Sequence, residues 1–245
     1  MNTTPSPSVL ARIRQGVAGR SPAQLVQASV KTITAIIKQA MPKARAAVRA
    51  DEAFDRQWGT DTSRQIGMNA LDFPTSLKKG SFHYQPSGAH ILDEAIALAA
   101  INPAEHVFID YGCGKGRIVL LAAAKPFARA IGVEYSALLT SIAQTNARRF
   151  AEAGGAKVTP EFWQGNAADY VPPAGPLFCY LYNSFGEEIL AGCLDQLEAA
   201  KARDRSRPIL LAYVNPQFGD AVAARAAWNE RAWANDIRLF ECVGP

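Results

Sequence analysis

Val107-Phe108-Ile109-Asp110-Tyr111-Gly112-Cys113-Gly114-Lys115-Gly116-Arg117-Ile118-Val119-Leu120-Leu121 is the stretch that decides the fold. The apolar run Val107 to Asp110 reads as a strand, Ile118 to Ala124 reads as a helix, and a glycine-rich turn joins them. Glycines at such a junction let the chain bend sharply and let a ligand approach the backbone without meeting a Cβ. The spacing is G-x-G-x-G. The third glycine of a dinucleotide fingerprint would fall at position 117, which is Arg117, so a hydride-transfer reading loses support. A Walker phosphate loop is also excluded, because Lys115 is not followed by Ser or Thr and the glycines are too closely spaced.

Working outward, short apolar runs alternate with helical patterns. Ala130 to Glu134 reads as a second strand, Leu138 to Ala153 as a helix and Val158 to Trp163 as a third strand. Leu177 to Tyr182 follows as strand four, Glu187 to Lys201 as a helix and Ile209 to Val214 as strand five. Trp228 to Trp233 and Ile237 to Val243 have room for two more strands, joined at Ala234-Asn235-Asp236. Strands that are apolar throughout, without alternation, belong where helices cover both sheet faces. The expectation is an α/β fold, a doubly wound, mostly parallel seven-stranded sheet, with an N-terminal helical extension. Ligands of such sheets bind at the carboxyl ends of the strands, where strand order reverses. Two further polar groups fall at those ends. Glu134 closes strand two, 24 positions beyond Asp110, and can accept hydrogen bonds from ribose hydroxyls. Asn166 follows strand three and offers an amide carbonyl to an exocyclic amine.

The N-terminal side differs in charge. The formal net charge is +4, yet the first 50 residues carry eight Lys and Arg and no acid, leaving the remaining 195 residues at a net −4. An acidic body with a basic arm is not a uniformly basic nucleic-acid binder. Ser21-Pro22-Ala23-Gln24 reads as a capping box opening a helix to about Met41, with Val26, Val30, Ile33 and Ile37 on one side. That face docks on the domain, on a second copy, or on an acidic partner or anionic membrane surface; an organellar transit peptide is the remaining reading. Residues 51–87 read as an ordered but irregular lid, pinned by Phe54, Trp58, Phe82 and Tyr84, after which Ser87 caps a helix from Gly88 to about Ala100. No run of 18 apolar residues and no signal-peptide pattern is found, and the four scattered cysteines favour neither zinc nor disulfides. No metal site is expected, and a reducing, cytoplasmic setting is the default.

The glycine loop, the strand-two acid and the strand-three polar turn together resemble class I S-adenosylmethionine-dependent methyltransferases over about residues 84–215. The resemblance implies S-adenosylmethionine as cofactor. It places Asp110, Gly112, Gly114 and Gly116 along the methionine part, Glu134 at the ribose and Asn166 at adenine. Tyr84 and Ser87 match the segment that closes over the cofactor in relatives. Asp169 either joins this set or caps the turn after Asn166. The end of strand four, Tyr182-Asn183-Ser184-Phe185, resembles the Asn-x-Phe form of the Dot1-like and mitochondrial-type protein lysine methyltransferase groups, as does Tyr84-Gln85-Pro86-Ser87. This implies Asn183, Tyr182 and Phe185 as catalytic residues for N-methylation of an amine such as a protein lysine. The other reading has Asn183 satisfying turn backbone and Phe185 in the core. His83 is a candidate base in the lid. Small-molecule or RNA methylation, a non-catalytic S-adenosylmethionine-binding scaffold and, more distantly, a dinucleotide oxidoreductase are the alternatives.

Overall fold

Seven strands form one sheet: β1 (Val107–Tyr111), β2 (Arg129–Glu134), β3 (Pro160–Gln164), β4 (Leu177–Tyr182), β5 (Ile209–Val214), β6 (Trp228–Ala234) and β7 (Ile237–Cys242). Their order is β3-β2-β1-β4-β5-β7-β6 in a computed structural model that describes residues 42–67 and 88–244. The first five strands run parallel, and β7 inserts antiparallel beside β5. The β7 direction follows from the tight turn at Asn235-Asp236, where Asn235 adopts φ +51°, a left-handed conformation that asparagine tolerates.

Parallel strands need crossovers, and these put helices on both faces. The helices are α1 (Pro42–Trp58), α2 (Ala89–Ala99), α3 (Arg117–Ala123), α4 (Ala137–Glu152), α5 (Glu187–Arg203) and the short α6 (Gly219–Ala223). Alternate residues of each strand divide between two apolar layers. Val107, Ile109 and Tyr111 pack with Leu190, Cys193, Leu194 and Leu197 of α5. Phe108 faces the other way, toward Leu92 and Ala95 of α2 and Ile118, Val119 and Ala122 of α3. This two-sided cover explains why β1, β4 and β5 are apolar without alternation. All four cysteines are buried and free.

The expected strands are all present. β3 begins at Pro160, not Val158, because Lys157 N and Val158 N both donate to Ala123 O and tie the chain to the end of α3. The segment read as irregular from Asp51 onward is helical as far as Trp58. Phe54 and Trp58 lie one turn apart on α1, and both pack on Phe150 of α4, with ring centroids 5.9 and 4.8 Å away. That packing supplies the stabilisation which its acid-rich sequence does not advertise. Helix α2 has Gly88 at its N-cap with no side-chain cap. The predicted arm helix of residues 21–41, and His83, Tyr84 and Ser87, lie outside the described residues. The chain divides into two compact units, Met1–Arg49 and Ala50–Pro245. Among the described residues no helix is long and apolar enough to cross a membrane.

Candidate functional site

The strand order reverses between β1 and β4, and the glycine loop sits at that reversal. Gly112, Gly114 and Gly116 all have φ between +56° and +84°. The loop is held against β2: Gly112 N and Cys113 N both donate to Val133 O, at 2.8 and 3.1 Å. Glu134 holds it further. Its Oε2 accepts from Gly114 N at 2.8 Å, and its Oε1 accepts from Ser136 N at 2.9 Å. The carboxylate read from sequence as a ribose ligand is therefore the fastener of the loop. Asp110 is buried on the next strand. Burial, and then the neighbouring Glu134 carboxylate, push its carboxyl well above the usual range. Burial raises the Cys113 thiol for the same reason, with Asp110 and Glu134 adding to it, which argues against a nucleophilic thiolate.

The two cations of the loop do not face this pair of acids. Lys115 is fully buried, with Nζ 2.9 Å from Asp61 Oδ1. Arg117 pairs with Asp51 at 2.9 Å, donates to Thr62 Oγ1 at 2.9 Å, and lies 4.4 Å over the Phe54 ring. Their partners belong to α1 and the turn after it. Asp55 builds that turn by accepting from Thr60 Oγ1, from Thr62 N and Oγ1, and from Ser63 N. Burial would raise the Asp55 carboxyl, but these hydrogen bonds outweigh it and hold the group below its usual range. Asn146 of α4, also fully buried, accepts from Asp61 N at 2.8 Å and donates to Asp61 O and Lys115 O, at 3.2 and 3.0 Å. None of Asp51, Asp61 and Asn146 was singled out from sequence. An aspartate-rich, turn-forming stretch upstream of a loop with two cations was the available signal.

At the end of β3, Gly165 N donates to Glu134 O at 2.9 Å, which brings this turn beside the loop. Asn166 Oδ1 accepts from Ala168 N at 3.2 Å and caps a short helical turn. The capping role weighed for Asp169 thus belongs to Asn166, and Asp169 is exposed. The carbonyl sought for adenine is partly committed to its own turn.

At the end of β4, Asn183 is 4% exposed and adopts φ +38°. Its Oδ1 accepts from Tyr213 Oη at 3.1 Å, and Tyr213 Oη accepts from Phe218 N at 3.4 Å. Tyr213, on β5, is a site residue that sequence reasoning missed; inside an apolar strand it carries no local signal. Ser184 lies against the glycine loop. A Cβ built on Gly112 would stand 2.3 Å from Ser184 Cβ and 2.6 Å from its Oγ. Phe185, expected among the catalytic residues, belongs to the core under this turn with Leu181 and Leu190, because its ring is the apolar group able to fill the space beneath Gly112. Tyr182 is half-buried and lies toward the β6–β7 turn; burial and then Asp236 raise its phenol. Strand ends thus bring together Asp110, Gly112, Gly114, Gly116, Glu134 and Asn166, with Asn183 adjoining across the reversal.

The sheet order and its single antiparallel insertion define the Rossmann-like methyltransferase fold. Neither a family model nor a curated protein sequence matches the chain. Solved structures with a similar fold include an RNA methyltransferase from Salinibacter ruber in complex with S-adenosyl-L-homocysteine, 21% identical over 65% of this chain and 94% of that one, TM-score 0.46. Another is a predicted N6-adenine-specific DNA methylase from Listeria monocytogenes, 18% identical over 65% of this chain and 52% of that one, TM-score 0.48. A third is a ribosomal protein L11 methylase from Lactobacillus delbrueckii, 14% identical over 62% and 75%, TM-score 0.43.

Proposed function

We propose that this chain is an S-adenosylmethionine-dependent methyltransferase acting on an amine, with a protein lysine as the acceptor. One observation carries the reading: the glycine loop is flanked by two buried carboxylates, Asp110 and Glu134, while both of its cations are paired elsewhere. A phosphate ligand needs the reverse arrangement. Buried acids suit a ligand that carries positive charge and sugar hydroxyls, and a loop of left-handed glycines admits it closely. S-adenosylmethionine fits on those grounds. Asp110 would hold its amino-acid end and Glu134 its ribose, with Asn166 near the base and Tyr84 and Ser87 assigned by resemblance alone.

When bound, the cofactor supplies a sulfonium methyl that is open to in-line displacement. The protein's part is alignment. Asn183 presents an amide at the edge of the crevice, and Tyr213 fixes its orientation. Tyr182 adds an uncharged wall, and Phe185 supports the turn from below. An attacking amine must be neutral, and an uncharged lining favours that form by desolvation. Glu187 and Glu188, at the start of α5 just beyond this turn, and Asp236 are all exposed. Negative charge there draws a basic acceptor toward the site.

Purified protein incubated with methyl-labelled S-adenosylmethionine and a cell extract tests the reading, with mass spectrometry of the products. Label on lysine side chains of a protein is the expected result. Label confined to RNA or small molecules would overturn the acceptor, and binding without turnover on any fraction would leave a scaffold in place of an enzyme.

A further inference from the structure

We infer that Asn215 is a second acceptor-binding residue, presenting its carboxamide to the main chain of a peptide whose lysine enters beside Asn183. The inference rests on the protein-lysine reading above and adds a rim, from β5, to an acceptor site so far built from β4. The two strands run parallel with Tyr182 paired to Val214, so Asn183 and Asn215 leave the sheet side by side. Neighbouring strands stand about 4.8 Å apart. Both asparagines turn left-handed there, with φ +38° and +48°. The two turns are also joined: Asn183 Oδ1 accepts from Tyr213 Oη, and Tyr213 Oη accepts from Phe218 N. Asn215 N donates to Asp236 O at 2.7 Å, and Gln217 N donates to Asn215 O at 2.9 Å, with the fixed φ of Pro216 between them. Asn215 is thus held by its main chain while the residue itself is exposed.

Asn183, Asn215 and Asn235 are all left-handed, and what separates them is the use of their carboxamides. Asn183 spends its Oδ1 on Tyr213, and Asn235 donates from Nδ2 to Glu94 Oε2 at 3.2 Å. The Asn215 carboxamide has no hydrogen-bond partner among the described residues. A left-handed backbone accounts for asparagine only in part, because glycine takes that conformation at less cost. What glycine lacks is the carboxamide, which offers an acceptor and two donors and so complements a peptide unit. Depth divides the work between the two strand ends. Asn183 is 4% exposed and faces the reacting amine, which a lysine carries on a four-carbon stem. The main chain of the acceptor therefore stays outside, on the exposed rim that Asn215 occupies. Asp236, exposed beside it, attracts a basic segment.

Glycine and alanine separate the side chain from the backbone. Asn215→Gly keeps the left-handed turn and removes the carboxamide, whereas Asn215→Ala removes the carboxamide and strains the turn as well. Each full-length variant is incubated with methyl-labelled S-adenosylmethionine and a cell extract below saturation. Initial rates of protein labelling are read beside Tm and the affinity for S-adenosylhomocysteine measured by calorimetry. Asn215→Gly should label protein about tenfold more slowly, the worth of one or two hydrogen bonds, with Tm and S-adenosylhomocysteine affinity retained. Asn215→Ala should lose the same rate and show a lower Tm. A wild-type labelling rate in Asn215→Gly refutes the contact, since asparagine would then serve its backbone alone, and leaves the lysine reading standing. A loss of rate matched by a loss of S-adenosylhomocysteine affinity also refutes it, by making Asn215 a support of the cofactor site. If the wild-type chain labels RNA or small molecules and no protein, the lysine reading itself fails and the peptide contact falls with it.

Discussion

Gly112→Ala is the sharpest perturbation available at the reversal of the sheet. Gly112 has φ +79°, where an L side chain costs about 1–2 kcal/mol. The new Cβ would stand 2.3 Å from Ser184 Cβ and 2.6 Å from its Oγ, so one strand end must shift. Overlap of that kind in a packed region costs about 1–3 kcal/mol. Together these come to about 2–5 kcal/mol, a large share of the roughly 5–15 kcal/mol that separates folded from unfolded chains. For a domain of this size each kcal/mol lowers Tm by about 2–4 °C. The geometry also predicts a partial rescue. Ser184→Gly removes both colliding atoms, so adding it to Gly112→Ala should restore the overlap component and leave the backbone strain. By itself Ser184→Gly should cost about 1 kcal/mol, through loss of the hydroxyl's bond to Tyr182 O and a freer chain. Urea denaturation of the four proteins in a double-mutant cycle measures the coupling. Additive destabilisation would refute the claim that the glycine loop and the turn after β4 meet at this point.

Three other outcomes follow from the site. Glu134→Gln puts an amide NH2 against one of two backbone N–H groups, so calorimetry should show S-adenosylhomocysteine binding weakened about tenfold or more; unchanged affinity would remove Glu134 from both its roles. Tyr213→Phe frees Asn183 Oδ1 from its fixed donor, and kcat should fall about tenfold with KM for S-adenosylmethionine nearly unchanged. An equal change in that KM would mean that Tyr213 serves the cofactor instead. Asp110 has a folded-state carboxyl raised by burial and by Glu134, so the native state holds its proton more tightly than the unfolded chain does. That contribution to stability is complete below the ordinary carboxyl range and is lost as pH rises through the raised value. Asp110→Asn should therefore raise the Tm of the ligand-free protein at neutral pH, with the gap closing toward acid, while impairing ligand binding; a lower Tm at neutral pH would contradict this.

The parts of the structure that sequence disclosed share one property: their signals are local. β1 announces itself because five consecutive residues are buried, and its glycine turn because no other residue adopts such backbone freely. The placement of Glu134 and Asn166 at strand ends was legible because chain order preserves distance along a strand. Tyr213 was not found, because its hydroxyl acts through a neighbouring strand and its own surroundings are those of any core tyrosine. Phe185 shows the same limit from the other side. Its position after Asn183 matched a catalytic pattern, whereas its environment, beneath Gly112 and within the α5 layer, is a property of the tertiary fold. Asp51–Trp58 hid its helix because two aromatics that stabilise it do so against Phe150, far along the chain.

Charge is the local signal whose meaning depends most on the fold. A loop reading Gly-Cys-Gly-Lys-Gly-Arg carries two cations, which by composition favours an anionic ligand. The fold reverses that sign. Asp61 and Asp51, 54 and 66 positions upstream, take up the two cations in partly buried pairs. Asp110 and Glu134 then stand as the acidic groups beside the loop backbone. The ligand chemistry of a glycine loop is thus set by where its flanking side chains find partners, and only secondarily by what they are. The proposed function gives Glu134 a second use, as ligand group beside its use as fastener, on the same logic. A carboxylate that already binds Gly114 N and Ser136 N is preorganised, so under the proposed function a sugar hydroxyl would meet an acceptor that need not be reoriented.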